Sequence, residues 1–353
     1  MGGLDHEFLV DLQQQPLEYK ENYATLRINE WYDHWKGQVY VAFSGGKDST
    51  VLLDLVRKQH PEVPAVFHDS GLEFPEIRDF VKTVDNVVWL KPKKTFKQVI
   101  EEYGYPIISK EQSGYIERVR RTKNPEVREK LCQPGPFSIS QKWQFLIEAP
   151  FLISGKCCDV LKKDPAHRYE RETGRKVYLG LLASESRNRK MMVIKQGCNA
   201  YFSSTPASRP LMIWNEDDIW GYIRKYDIPY SSIYDKGYYR TGCMFCMFGL
   251  HLDGSPNRFE LMEKTHPKHF DYCMNKLGCK EIIRYIREES GELPPELKLC
   301  HNCMQILPAN QEVFPPRNNR TRGLQPLCRT CFNERRRATY KAAKEKTDEK
   351  ALC

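Results

Sequence analysis

Two groups of residues in this chain have the types and spacing to do chemistry. The first is Ser44-Gly45-Gly46-Lys47-Asp48-Ser49, set between an apolar β-branched run, Val39 to Phe43, and a segment with Val51, Leu52, Leu55 and Val56 on one helical face. Two glycines let backbone amides approach a ligand closely, and the start of the following helix is a positive dipole end. Lys47 adds a charge, and Ser44 and Ser49 add hydroxyls. Together they predict a nest for a phosphate or pyrophosphate. The spacing is neither GxxxxGK[ST] nor GxGxxG, so neither the usual P-loop nor a dinucleotide fingerprint is present.

The second group is cysteine. The chain has 13. Cys157 and Cys158 are adjacent, and Cys243 and Cys246 form a CxxC 85 positions after Cys158. Four thiolates suit zinc or an iron–sulfur cluster equally. Cys300-x-x-Cys303 and Cys328-x-x-Cys331, about 25 residues apart, read as a structural zinc site. Cys132, Cys198, Cys273 and Cys279 are expected as small core residues, Cys353 lacks neighbours that would activate it, and His301 is expected to be solvated.

These groups must be held by a fold. The chain has 353 residues and is 40% apolar, enough for a large core. Residues 1–37 read as a helical lead-in whose "NEWYDHW" is an aromatic stripe. Strands are expected at Val39–Phe43, in "VPAVFHD" ending at Asp69, at 86–90, at 176–182 and in "LMIW" (211–214), with Asn215 as N-cap of "EDDIWGYIRKY". Residues 94–150 read as mostly helical and polar, with a basic cluster, "IERVRRTKNPEVREK". Strands alternating with helices predict an α/β fold with a doubly wound, mostly parallel sheet, followed by a small C-terminal zinc-binding module. Expected domains are 1–37, 38–290, and 291–353 after the linker "GELPPELKL". The glycine loop, Asp69 and the end of the fourth strand all fall at carboxyl ends, where such sheets bind ligands, so one pocket is expected to hold them.

With these residues in view, the chain resembles a known family. SGGKDS is similar to the pyrophosphate loop of the N-type ATP pyrophosphatases, whose adenine nucleotide α-hydrolase fold is shared by GMP synthetase, tRNA thiolation enzymes and the phosphoadenosine phosphosulfate (PAPS) reductases. "HDSGLEFPEIRDFV" resembles the reductase branch's D-T-G-x-x-F-P-E stretch through Asp69, Gly71, Phe74, Pro75 and Glu76, with Ser70 in place of Thr. "GLLASESRNR" resembles G-x-R-x-x-E/Q-S-x-x-R through Gly180, Glu185, Ser186 and Arg189, with Leu182 where the family has Arg. "IYDKGYYRTGCMFC" resembles its Y-x-x-G-Y-x-R-x-G-C-x-x-C segment. The resemblance spans roughly residues 35–250. It implies nucleotide binding by Ser44–Ser49, Asp69, Gly71, Glu185, Ser186 and Arg189. It also implies a 4Fe–4S cluster on Cys157, Cys158, Cys243 and Cys246, the CC…CxxC pattern of the adenylyl-sulfate reductases. "GLQPLCRTCFNERRR" resembles the second half of a treble-clef finger, without the catalytic residues of HNH nucleases.

Departures from the family shape the expected function. The reductases have usually lost the loop lysine and aspartate, whereas Lys47 and Asp48 are kept here. Such a loop suits ATP, with Lys47 neutralising phosphate charge and Asp48 holding Mg²⁺. No E-C-G-[IL]-H segment, which carries the reductase nucleophile, is present. The expectation is an ATP pyrophosphatase that adenylates its substrate and then inserts sulfur with help of the cluster. A PAPS or adenylyl-sulfate reductase acting on a sulfonucleotide is the alternative, and a non-catalytic nucleic-acid-binding protein the third. Net charge is +9, and Arg317, Arg320, Arg322, Arg329, Arg335, Arg336, Arg337, Lys341, Lys344 and Lys346 crowd the C-terminal region against Glu334 and Glu345. That footprint suits phosphate backbones, tRNA or DNA. Neither a signal peptide nor a membrane span is read, so a soluble, cytoplasmic protein is expected.

Overall fold

The computed structural model describes residues 5–290, 297–299, 303, 306–308, 310–316, 324 and 327–337. The chain divides into two compact units, Met1–Tyr103 with Lys156–Met244, and Gly104–Gly155 with Phe245–Cys353.

The first unit is built on a six-stranded sheet. Its strands are β1 (Val39–Ala42), β2 (Ala65–His68), β3 (Val87–Leu90), β4 (Lys176–Leu179), β5 (Asn199–Ala200) and β6 (Ala207–Ser208), in the order β3-β2-β1-β4-β6-β5. Every pairing is parallel except β5 with β6. The order reverses between β1 and β4, so the sheet winds outward from that pair and opens a crevice at their carboxyl ends. The expected fold class is therefore the one found. Its helices include α1 (His6–Gln14), α2 (Leu17–His34), α3 (Lys47–Gln59), α4 (Pro75–Lys82), α5 (Phe96–Tyr103), α6 (Asp164–Thr173), α7 (Arg187–Gln196) and α8 (Glu216–Tyr226).

Local sequence explains the main elements. Val39, Tyr40 and Val41 are buried strand formers, and α3 turns Val51, Leu52, Leu55 and Val56 inward. Asn215 caps α8 as expected. Its side chain accepts from the amides of Asp217 and Asp218, and Asp218 returns a bond to the Asn215 amide at 2.7 Å. Expected strand "LMIW" is not a strand. Leu211–Trp214 form turns, with amide bonds from Met212 to Arg209 and from Trp214 to Leu211. All four side chains are fully buried. Pro210 cannot donate to a ladder, so the run fills the core as a turn while the strand lies just before it, at β6. The antiparallel edge strand β5 went unread because it is two residues long.

The lead-in helix α2 is tied into this unit. Trp31 is fully buried, stacking on Tyr201 and meeting Trp35 edge-on. The Tyr178 hydroxyl donates to the Ile28 carbonyl, and Lys20, 2% exposed, pairs with Asp218 at 2.6 Å.

The second unit contains a two-residue parallel pairing of Ile107–Ile108 with Met247–Phe248. The helix Lys110–Arg121 starts on Ser109, whose hydroxyl accepts from Gln112. Arg120 on that helix donates to the carbonyls of Leu146, Ile147, Ala149 and Phe151, so this arginine of the basic cluster is structural. Leu297–Leu299 and Ile306–Pro308 form a small antiparallel pair. Beside their sequence, Phe314, Cys328 and Cys331 form a buried cluster with Leu307, Val313, Leu324 and Leu327. Among the described residues, no helix is long and apolar enough to cross a membrane.

Removing one partner of a buried ion pair strands the other charge. Lys20→Met is expected to lower stability by about 3 kcal/mol in urea titrations. Lys82→Met, in the exposed pair with Asp79, should cost less than about 1 kcal/mol.

Candidate active site

The glycine loop connects β1 to α3 at the crevice. Gly45 has φ +71°, and a Cβ there would lie 2.8 Å from Val81 Cγ2 and 2.9 Å from Ile77 Cγ2 on α4. Glycine is required on both counts. The Ser44 amide donates to Ser49 Oγ at 3.1 Å, the Gly46 amide to Ser44 Oγ at 3.3 Å, and Ser49 Oγ to the Gly46 carbonyl at 2.9 Å. The two serines thus brace the loop against the first turn of α3. The Lys47 amide donates to the Tyr234 hydroxyl at 2.8 Å.

Charged side chains converge on this turn. Lys47 is 5% exposed, and its ammonium lies 3.2 Å from Asp48 and 3.7 Å from Glu216. The Asp48 oxygen facing that ammonium is Oδ1, which is buried and has no other polar partner. A carboxylate at this place has the oxygen-donor chemistry that Mg²⁺ prefers, and taking up the ion would mean giving up the contact with Lys47. Gly180, just past β4, packs so closely that a Cβ would stand 3.0 Å from the Asp48 carbonyl oxygen. Ser186 caps α7 by accepting from the Arg189 amide, and Arg189 forms an ion pair with Glu185. Burial lowers the Arg189 pKa, opposed by nearby Asp48 and assisted by nearby Arg240. Arg189 and Arg240 therefore belong to the same electrostatic site as the loop. Leu182, where the family has arginine, is 2% exposed and serves the core.

Asp69 follows β2 and bonds to the Gly71 amide and to Arg78 rather than to the loop. Glu73 folds back onto the amides of Ser70 and Leu72 and onto the Ser70 hydroxyl. Lys162, which the sequence did not single out, reaches Glu73 at 3.8 Å. Its pKa is pushed well up, first by Cys243, against the effect of burial, and further by Glu73 and Cys158. It sits on the π-helix Asp159–Lys163, immediately after Cys157 and Cys158, whose sulfurs are 3.9 Å apart. Three of the four expected cluster cysteines, Cys157, Cys158 and Cys243, thus lie in the first unit. Lys162 electrostatically joins Cys158 to Cys243, and thiolates with a lysine beside them have the donor chemistry for iron–sulfur ligation. The helical spacing of Lys162 after Cys158 was the available signal. Cys246 lies in the second unit, where Arg258 donates to its carbonyl at 3.2 Å and pairs with Asp253.

In the C-terminal region the sulfurs of Cys303, Cys328 and Cys331 all lie within 4.8 Å of one another. That spacing fits tetrahedral zinc. Arg329 is committed locally, donating to the carbonyls of Gln311 and Glu312. Cys300, His301, Arg317, Arg320, Arg322, Lys341, Lys344, Lys346 and Cys353 lie outside the described residues. Cys198, Cys273 and Cys279 are buried as expected, and Cys132 is partly so.

Sheet, crevice and loop define an α/β protein with a glycine-rich loop at its topological switch point. The chain belongs to the phosphoadenosine phosphosulfate reductase domain family, whose description it matches over residues 38–131 and 135–248. Membership of this family points to an enzyme. An uncharacterized protein of Methanocaldococcus jannaschii is 27% identical over 295 residues, 80% of this chain and 59% of that protein. A second from the same organism is 27% identical over 246 residues, 68% of this chain and 42% of that one. The chain thus spans about half the length of these relatives. An adenosine 5'-phosphosulfate reductase of Anoxybacillus flavithermus is 26% identical over 239 residues, 67% of this chain and 85% of the reductase. Among solved structures, a PAPS reductase from Candida auris in a phosphate complex aligns with TM-score 0.39 and 18% identity, over 68% of this chain and 96% of that one.

His68 ends β2, and its Nε2 is buried without a partner. Burial first, and Lys162 second, push its pKa down to about 4. The folded state therefore resists protonation that the unfolded chain accepts. Stability is full above about pH 6.5 and falls on acidification toward about pH 4, by up to about 3 kcal/mol. His68→Gln should flatten that part of the stability–pH curve, measured by urea denaturation from pH 7 to pH 4.

Proposed function

We propose that the protein is an ATP-dependent sulfur-transfer enzyme acting on a nucleic acid. The observation that carries this is the loop itself: Lys47 is buried between Asp48 and Glu216, and the loop amides already point at hydroxyl oxygens. Such a site can hold a pyrophosphate and stabilise its departure. An oxygen of the acceptor attacks the α-phosphorus of ATP, the bond to the bridging oxygen breaks, and pyrophosphate leaves with its charge on Lys47 and the loop amides. A sulfide-level donor then displaces AMP, which carries the acceptor oxygen away. No electrons are exchanged in either step. Asp48 would hold Mg²⁺ on the phosphates, and Ser44, Gly45, Gly46, Ser49, Asp69, Gly71, Glu185, Ser186 and Arg189 would shape the nucleotide pocket. Cys157, Cys158, Cys243 and Cys246 would hold a 4Fe–4S cluster, which supplies a thiophilic metal for binding sulfide. Lys162 would balance the charge of its thiolate ligands.

The acceptor class is read from charge. The second unit holds 27 Lys/Arg against 19 Asp/Glu, a net +8, which leaves +1 of the chain's +9 for the first unit. A zinc knuckle on Cys300, Cys303, Cys328 and Cys331 would present Arg335, Arg336 and Arg337 to a phosphate backbone. We place the reaction in the cytoplasm, because thiolate ligands need a reducing compartment. A sulfonucleotide reductase is the second reading, favoured by the relatives that carry that name.

Anaerobically purified protein with Mg²⁺ and ATP is expected to release pyrophosphate, faster with added tRNA or DNA, and Lys47→Met should slow this by roughly 10²–10³-fold. Sulfite from a sulfonucleotide, without pyrophosphate release, would establish the reductase instead. Metal analysis should return about four iron and about one zinc atoms per chain. Cys243→Ser should lose the iron and keep the zinc, and Cys328→Ser the reverse.

A further inference from the structure

The first turn of α3 offers amides that nothing inside the helix can satisfy. One of them is already taken. The Lys47 amide donates to Tyr234 Oη at 2.8 Å, in the direction a bound phosphate oxygen would approach. The same hydroxyl lies 3.2 Å from where a Cβ on Gly46 would stand, and Thr241 Oγ1 lies 2.6 Å from that point. Thr241 in turn hydrogen-bonds to Tyr234. The Lys47 ammonium is 5.8 Å from the centre of the Tyr234 ring. Two hydroxyls therefore cover the glycine loop where phosphate would sit.

We infer that Tyr234 is a phosphate stand-in. Its hydroxyl satisfies the Lys47 amide in the free protein and yields that amide to a phosphate oxygen of the incoming nucleotide, so Tyr234 sets nucleotide affinity by competition. The inference rests on the loop being the nucleotide site. A neutral hydroxyl accepts from an amide more weakly than an anionic phosphate oxygen does, so the exchange favours the ligand. Tyr234 follows a tight turn, with its amide on the Ser231 carbonyl and Ile233 fully buried behind it. On the other side the chain is held again by Tyr238 against Phe74 and by the Met244 amide on the Leu72 carbonyl. The turn between these anchors is itself braced, by the amides of Asp235, Lys236 and Gly237 donating to the carbonyls of Ser232, Ile233 and Tyr234 and by the Lys236–Glu76 ion pair, so the Lys47 amide is released by movement of the Tyr234 side chain alone.

The test is ATP and pyrophosphate titration of the full chain and of Tyr234→Phe, Thr241→Val and Lys47→Met, read by calorimetry. Tyr234→Phe keeps the ring and removes the competing hydroxyl, so it should bind ATP about three- to tenfold more tightly. Thr241→Val should shift in the same direction by less. Trp220 meets the Tyr234 ring edge-on at 5.4 Å, so its fluorescence should change on ATP binding, and that change should vanish in Trp220→Phe. If the wild type binds ATP, Lys47→Met does not, and Tyr234→Phe binds equally or more weakly, the stand-in is overturned while the nucleotide site stands. Equal or absent binding of both ligands in wild type and Lys47→Met would overturn both.

Discussion

The first turn of α3 sits where it does because three glycines occupy no space beside it. Gly45 lets α4 close on the loop, Gly46 lies under Thr241 and Tyr234, and Gly180 lets the end of β4 meet the Asp48 carbonyl. A methyl group at any of the three would have to stand at 3.0 Å or less from a neighbouring atom. Interiors this dense do not absorb such intrusions without shifting their elements. The backbone ladder sets the separation of β1 and β4, and these close approaches seat the first turn of α3 against their carboxyl ends, where the strand order reverses. Everything charged in the crevice is hung from these elements. Lys47 and Asp48 come from α3, Arg189 and Glu185 from the turn into α7 beyond Gly180, and Glu216 from the first turn of α8.

The charges in that crevice are close to balanced before any ligand arrives. Lys47 faces two carboxylates, and Arg189 has Glu185. A buried lysine with no partner would be costly, so the carboxylates allow the loop to fold around Lys47. On the proposed function, a bound polyphosphate would loosen these pairs, and a divalent cation on its phosphates would give the freed carboxylate of Asp48 a partner.

Much of this was legible in the sequence, and the reasons differ from element to element. Val39 to Val56 reads as strand, glycine loop and helix because each part carries its own local signal: β-branched residues, paired glycines, then apolar spacing of three and four. Asn215 is legible for the same reason, since a cap is decided within four residues. Leu211–Trp214 misleads because burial on all sides erases periodicity, and a turn that fills a core has the same composition as an inner strand. Lys162 and Tyr234 were not picked out as site residues. Lys162 lies one helical turn after Cys158, a weak signal on its own, and its meaning comes from Cys243, 81 positions later in the chain. Tyr234 likewise acquires its role from an amide 187 positions away.

The two compact units are assembled in a way that local sequence does not announce. The second unit draws on two segments that the sequence separates by the whole of β4 to β6, and its strand pairing of Ile107–Ile108 with Met247–Phe248 is too short to announce itself. The boundary falls between Cys243 and Cys246, inside one CxxC. Two residues of one motif are thereby held by different sets of packing neighbours, and the spacing of a CxxC cannot announce this, because spacing is local while each unit is assembled from segments far apart in the sequence.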